Sequence, residues 1–122
     1  MRDSYKRRVQ RGIKLLNINV PNWLDRIDLS EFDMRIGCKC ILGQLFRSSK
    51  EDYLAYCKAV SALNMDNNID EQAKYGFELS EHFFKAIMET DKRDMEDHSR
   101  RLHNAWVEAI TNLKAKKVLE IN

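Results

Sequence analysis

The chain has 122 residues, 43% hydrophobic and 33% charged, which is enough for one domain with a real core. Four glycines and one proline leave few turn residues for a β-rich fold, and a net charge of +2 is too small to argue for nucleic acid by itself. No apolar run is long enough to span a bilayer, no signal peptide is expected, and three cysteines, two of them spaced C-x-C, do not form a disulfide framework. The expectation is a cytoplasmic, reducing setting.

The first helix is expected over residues 4–17. Tyr5, Val9, Ile13 and Leu16 fall on one face with Gly12 beside them, while Lys6, Arg7, Arg8, Arg11 and Lys14 take most of the remaining circumference. Such a helix either lies on phosphate or an acidic protein, or is a solvated terminal face. No aromatic is interleaved on its basic side to stack on bases, which counts against single-stranded nucleic acid.

Pro21 ends that helix and opens a short helical turn, 21–27, in which Trp23, Leu24 and Ile27 bury together. Asp28 and Ser30 both suit the cap of a following segment anchored by Leu29, Phe32 and Ile36, and Ser30, with Asp33 three residues on, is the better of the two. The stretch 21–46 is what the rest of the chain is expected to organise around. Cys38, Ile41, Leu42, Leu45 and Phe46 recur at helical spacing, so a buried helix is predicted over 38–46. Gly43 inside it costs roughly 1 kcal/mol against alanine, so a close-packed neighbour is expected there.

The pattern Pro21-x-Trp23-x-Asp25-Arg26-Ile27-Asp28-Leu29, then Phe32-Asp33-Met34, then Cys40-Ile41-Leu42-Gly43-Gln44-Leu45-Phe46, resembles a family of small uncharacterised proteins of phages and bacteria. The similarity continues at Tyr75-Gly76-Phe77 and Ala105-Trp106. The chain departs from that pattern at Arg47, where the family carries glycine, and in much of 80–95, which the family lacks. No activity comes with the resemblance. It implies a phage or mobile-element setting, in which short proteins act by binding host machinery.

A Ser–Asp signature at 48–52 predicts a helix to about Leu63 with a broad apolar face of Tyr53, Leu54, Tyr56, Cys57, Val60 and Leu63. Asp70 is read as the cap of a short helix ended by Gly76 as a left-handed terminator, after which Phe77 and Leu79 dock. Residues 80–89 read as helical, with an extended alternative over 77–84. The last element opens at Thr90 or Asp91. Its buried stripe is Met95, Leu102, Trp106, Ala109, Ile110 and Leu113, and its wet side Arg100, Arg101, Asn104 and Glu108. Unbroken to Lys116 it is near 40 Å long. That length predicts a helical hairpin or a surface for homodimer formation, with a frayed tail from Lys114.

For metal, the soft ligands are Cys38, Cys40, Cys57, His82, His98 and His103. C-x-C lacks the spacing of a zinc knuckle, and on a helix the two sulfurs point apart, so the cysteines read as small hydrophobes and no metal or cofactor is expected. Asp25, Asp28, Glu31 and Asp33 are dense enough for a divalent-ion nuclease site, but caps and pairing with Arg26 or Arg35 explain them without chemistry. No nucleophile elbow and no glycine-rich phosphate loop is present.

The expected architecture is all-α: a single compact domain, 1–122, of five to six helices with a long carboxy-terminal helix. Its parts are a basic helix in 1–20, a core in 21–79, and a hairpin or long helix with tail in 80–122. The core draws on Trp23, Ile27, Phe32, Ile41, Leu42, Leu45, Phe46, Leu54, Cys57, Val60, Phe77, Leu102, Trp106 and Ile110. The expected function is a non-enzymatic, phage-type binding protein that inhibits or redirects a host protein or ribonucleoprotein complex. A CRISPR or other host-defence nuclease complex is one such target, which would make the protein anti-CRISPR-like. Partner contact is assigned to Lys6, Arg7, Arg8, Arg11, Lys14, Asp25, Asp28, Asp33, Arg100 and Arg101. The alternative is a nucleic-acid-binding accessory protein that uses the basic amino-terminal helix, joined by Arg100, Arg101 and the lysines of 114–117.

Overall fold

Ser4 opens the chain's first helix by accepting the Arg7 amide on its hydroxyl, 3.2 Å away, so one exposed donor of the first turn is satisfied. In the computed structural model, residues 4–66, 68–78 and 92–121 are described. Among them the fold is all-helical and forms a single compact domain of six helices. In chain order these are α1 (Tyr5–Asn19), α2 (Trp23–Arg26), α3 (Ile41–Phe46), α4 (Ala55–Ala62), α5 (Ile69–Lys74) and α6 (Lys92–Ile121).

The two long helices, α1 and α6, run parallel. Tyr5 meets His98, Gly12 meets Trp106, and Asn17 shares a cavity with Lys117. The predicted stripes are what they bury: Val9, Ile13 and Leu16 on α1 against Leu102, Trp106 and Ile110 on α6. Gly12 is required at the crossing, because a Cβ there would run into the Tyr75 carbonyl and press on the Trp106 ring at 3.0 Å. Gly76 ends the α5 segment with φ +74°, as expected of a left-handed terminator, and lies against the Arg8–Val9 backbone. Phe77 then stacks on Trp106 with ring centroids 6.0 Å apart.

α6 has 30 residues, about 45 Å at 1.5 Å per residue, and its tail is helical rather than frayed. Two lysines tie that tail down: Lys114 donates to the Ile27 carbonyl at 2.9 Å and Lys117 pairs with Asp25 at 2.6 Å. Residues 79–91, the Met95 side chain and His82 lie outside the described residues. With them go the docking of Leu79, the helix over 80–89, most of the extended alternative and the second arm of a hairpin.

The stretch between α2 and α4 departs from expectation. The helix predicted over 38–46 begins only at Ile41, because the Cys40 sulfur caps it by accepting the Gly43 amide at 3.3 Å. Ser30 caps nothing; Asp28 instead accepts both the amide and the hydroxyl of Ser30, at 2.9 and 2.6 Å, closing a turn. The Gly43 expectation holds: a Cβ would collide with the Gly37 carbonyl. Likewise the Ser–Asp signature at 48–52 starts no helix. Asp52 folds back onto the Ser48 amide at 3.0 Å, and α4 starts at Ala55. Tyr53 and Leu54 therefore precede the helix and are exposed, and Cys57 faces outward, while Ala55, Ala59 and Val60 bury. Two core assignments, Leu54 and Cys57, fail for that reason, and Phe46 is only half-buried. Asn68, not Asp70, caps α5, accepting the Glu71 amide at 3.0 Å.

Candidate partner-binding surface

α1 presents its basic residues in two groups. Lys6, Arg7 and Lys14 are exposed and make no ion pair among the described residues. Arg8 and Arg11 are half-buried. The Arg8 guanidinium lies over the Tyr5 ring, 5.5 Å from its centroid, and Arg11 donates from Nε to the Lys74 carbonyl at 2.9 Å. Arg11 thus ties α1 to the α5 segment, while Arg8 packs on Tyr5 of its own helix. Of the five residues to which contact is assigned on α1, Lys6, Arg7 and Lys14 are exposed, whereas Arg8 and Arg11 make contacts within the fold.

Arg101 stands beside the start of α1. It pairs with Asp97 one turn earlier at 3.0 Å and, with Arg8, acts electrostatically on the Tyr5 hydroxyl. Burial pushes the Tyr5 hydroxyl pKa up, and those two cations pull it back. Tyr5 and His98 share a hydrogen bond of 2.5 Å. Arg100 is exposed and lines a shallow pocket of about 120 Å³ with Arg35, Glu96 and His103. Of the distal lysines, Lys114 and Lys117 are engaged as described above. The continuous basic surface expected from α1, Arg100, Arg101 and 114–117 is therefore interrupted.

The acidic stretch is divided among separate partners. Asp25 pairs with Lys117 at 2.6 Å, and Glu31 with Arg47 at 3.2 Å and Lys50 at 3.6 Å. Hydrogen bonds from Ser30 hold the Asp28 carboxyl below the ordinary carboxylate pKa. Burial works to raise Asp33, but the hydrogen bonds and charge of Arg35 at 3.1 Å outweigh it and hold its pKa low. Arg26 turns away from these acids and donates to the Leu45 carbonyl. Arg47 has an ordinary φ of −71° and donates to the Cys38 carbonyl at 3.1 Å.

Cys38 and Cys40 are buried before α3 begins, so it is burial in separate loop positions, not opposition on a helix, that describes them. Desolvation pushes the Cys40 thiol up to about 11. Among the described residues no three His, Cys, Asp or Glu side chains are grouped to hold a metal ion, and no helix is long and apolar enough to cross a membrane.

Exposed apolar residues were not anticipated. Ile18 is 79% exposed, Val118 58% and Leu119 75%. Ile18 was legible, since Arg7, Lys14 and Ile18 recur at seven and four residues and fall within about 20° of one line on α1. Compared with models of known families, with curated proteins and with solved structures, the chain matches none.

Proposed function

We propose that the protein is a non-enzymatic, phage-type binding protein that docks on an acidic face of a host macromolecule and so inhibits or redirects it. The resemblance implies a phage or mobile-element setting, and a host-defence nuclease complex is one target that suits it. The observation that supports this reading is an asymmetry of charge pairing. Asp25, Glu31 and Asp33 each have a cation of this same chain, and Asp28 is taken by Ser30. Lys6, Arg7 and Lys14 stand exposed with no described anion. A phosphate-mimicking role for the acidic stretch would require breaking those pairs, whereas the α1 row is already presented. Exposed charges without an internal partner steer a partner of opposite sign and help fix its register.

Nucleic acid is the other anionic partner. Three cations neutralise few phosphates, so the slope of log K against log salt would be only about −3 and the affinity weak. One variant tests both readings: Lys6→Glu, Arg7→Glu and Lys14→Glu together, leaving Arg8 and Arg11 in place. Host-lysate capture quantified by mass spectrometry is expected to lose its specific partner with this variant, and duplex DNA is expected to bind more weakly than about 1 μM at physiological salt. Tighter duplex binding that falls steeply with salt would transfer the assignment to nucleic acid. Undiminished capture by the charge-reversed chain would remove the α1 row from the function altogether.

A further inference from the structure

We infer that the cavity between residues 31–39 and 50–53 binds a nucleoside monophosphate unit, with its base on Tyr53, its phosphate on Lys39 and Lys50, and a sugar or base donor on Glu51. A free mononucleotide and a single strand with a 5′-phosphate both carry that unit. The site shares no residue with the α1 row. The cavity holds about 350 Å³, within the range of about 300–1,000 Å³ in which small-molecule sites occur. The cavity shared by Asn17 and Lys117 and the pocket beside Arg100, about 190 and 120 Å³, fall below that range. Ile36 and Cys38 supply apolar surface, Glu31, Lys39, Lys50 and Glu51 supply charge, and Tyr53 supplies an aromatic ring. Both walls are fixed. On one, the Ile36 carbonyl accepts the Lys39 and Cys40 amides at 3.0 and 2.9 Å. On the other, Asp52 accepts the Ser48 and Leu54 amides at 3.0 and 3.2 Å and the Lys58 ammonium at 2.7 Å, which holds the backbone on either side of Tyr53. The walls meet at Gly37, where a Cβ would stand 3.3 Å from the Tyr53 carbonyl.

Tyr53 is the residue that points to a ligand. Tyr5 and Tyr75 meet other rings, and Tyr56 donates to Gln72. Tyr53, 73% exposed, has no side-chain hydrogen bond or ring contact among the described residues. A ring held out on a fixed loop beside lysines is a stacking platform for a base. The charges agree. Glu31 is shared by Arg47 and Lys50, while Lys39 has no ion pair among the described residues. With Arg47 included, three cations face two carboxylates, so an anionic phosphate offsets the excess. Glu51 is exposed and likewise has no ion pair among the described residues. A carboxylate only accepts, so its complement is a donor such as a sugar hydroxyl or a base amino group. Inorganic phosphate would leave the Tyr53 ring unstacked, and the ring of a phosphorylated tyrosine offers Glu51 no donor.

The test titrates the full chain, isotopically labelled, with adenosine 5′-monophosphate, adenosine, inorganic phosphate, O-phosphotyrosine and a 5′-phosphorylated oligodeoxyadenylate. Adenosine 5′-monophosphate is expected to shift the amides of residues 36–39 and 50–53 and to bind about ten-fold more tightly than adenosine or phosphate alone. Tyr53 and the Lys50 side chain are 73% and 76% exposed, so substitutions there are safe for the fold. Tyr53→Leu is expected to weaken binding about ten-fold and Lys50→Gln about three-fold, while Tyr53→Phe retains it. If the oligonucleotide binds more tightly than the mononucleotide and responds to the same variants, the unit comes from a strand; if it binds no better, from the free nucleotide. Absence of shifts in these two loops at millimolar nucleotide overturns the proposal. So does equal affinity for phosphate alone or for O-phosphotyrosine, or binding that Tyr53→Leu leaves unchanged. Shifts confined to α1 that vanish with Arg7→Glu and Lys14→Glu would overturn it too, and would assign the anion to the basic row.

Discussion

Where α1 meets α6, contact is made by apolar side chains on regular helices: Val9, Ile13 and Leu16 against Leu102, Trp106 and Ile110. The backbone there satisfies itself, and the side chains are free to pack. Residues 27–54 cover the same core by other means. Only α3, six residues long, is regular between α2 and α4, so the backbone groups of this stretch look to side chains for partners. Gln44 is the clearest case. Its oxygen accepts the Asp28 amide at 2.7 Å, and its nitrogen donates to the Asp28 and Lys39 carbonyls at 3.1 Å each. Arg47 and Arg26 reach other carbonyls of the same stretch. One half is thus held by burial of apolar surface, the other by polar side chains acting as staples, and the two should fail differently under mutation.

The largest effect is expected in the packed half. Trp106 is fully buried, its indole donates to the Gly76 carbonyl at 2.6 Å, and its ring meets both Phe77 and Trp23. Trp106→Ala should cost about 3–5 kcal/mol in a urea melt, from lost burial and the cavity left behind. A cost below about 1 kcal/mol would mean that the α1–α6 contact is not where the stability resides.

Gln44→Leu probes the stapled half. Leucine is close in size and the site is buried, 6% exposed, so apolar packing is retained while three bonds disappear. Buried backbone groups left without partners should make the change cost about 2–3 kcal/mol, although the residue becomes more hydrophobic. A neutral or stabilising outcome would show that water replaces the staple and that the two halves do not differ in kind.

The same contrast decides what could be read from the sequence. The α1 and α6 stripes were legible because a period of 3.6 residues is a local signal that burial merely confirms. Gly43 was legible as a point of close approach and Gly76 as left-handed backbone, whereas the need for Gly12 appears only with the packing of Tyr75 and Trp106. The stapled half was not, because its order is set by contacts such as Gln44 to Asp28, 16 residues apart, which no spacing rule announces. Helical spacing at 38–46 was genuine for Ile41, Leu42 and Leu45, yet a cysteine sulfur took the cap and moved the start of the helix. At 48–52, Ser and Asp formed a turn rather than a cap, which exposed Leu54. The candidate site divides along the same line. Arg7 and Lys14 could be placed on the outer face from the helical wheel alone, whereas Lys6 falls about 20° from Ile13 on that wheel; the Arg11 contact could not be seen without the docking of the α5 segment.

The smallest effect expected lies at a histidine that bridges the two halves. His103 on α6 accepts the Met34 amide on Nδ1 at 3.2 Å and lies against Phe32, ring centroids 5.0 Å apart. An amide donor on Nδ1 demands an unprotonated nitrogen there, which places the neutral ring's proton on Nε2. Partial burial lowers the His103 pKa from its ordinary 6.5; Asp33 opposes that shift and Arg35 adds to it. The sign follows. The unfolded chain takes up its proton at the higher, ordinary value, so His103 contributes fully above that pH. The contribution is lost progressively as pH falls below it towards the folded pKa. Stability should therefore decline as the pH falls below about 6.5. His103→Phe keeps a ring against Phe32 and removes the titration, so its stability should be flatter below that pH, although lower at neutral pH for want of the Met34 acceptor. Urea melts at half-unit pH steps compare the two slopes. Parallel slopes would show that the bridge carries no proton-linked stability, and that the loop stays on α6 through the Phe32 contact rather than through the amide bond.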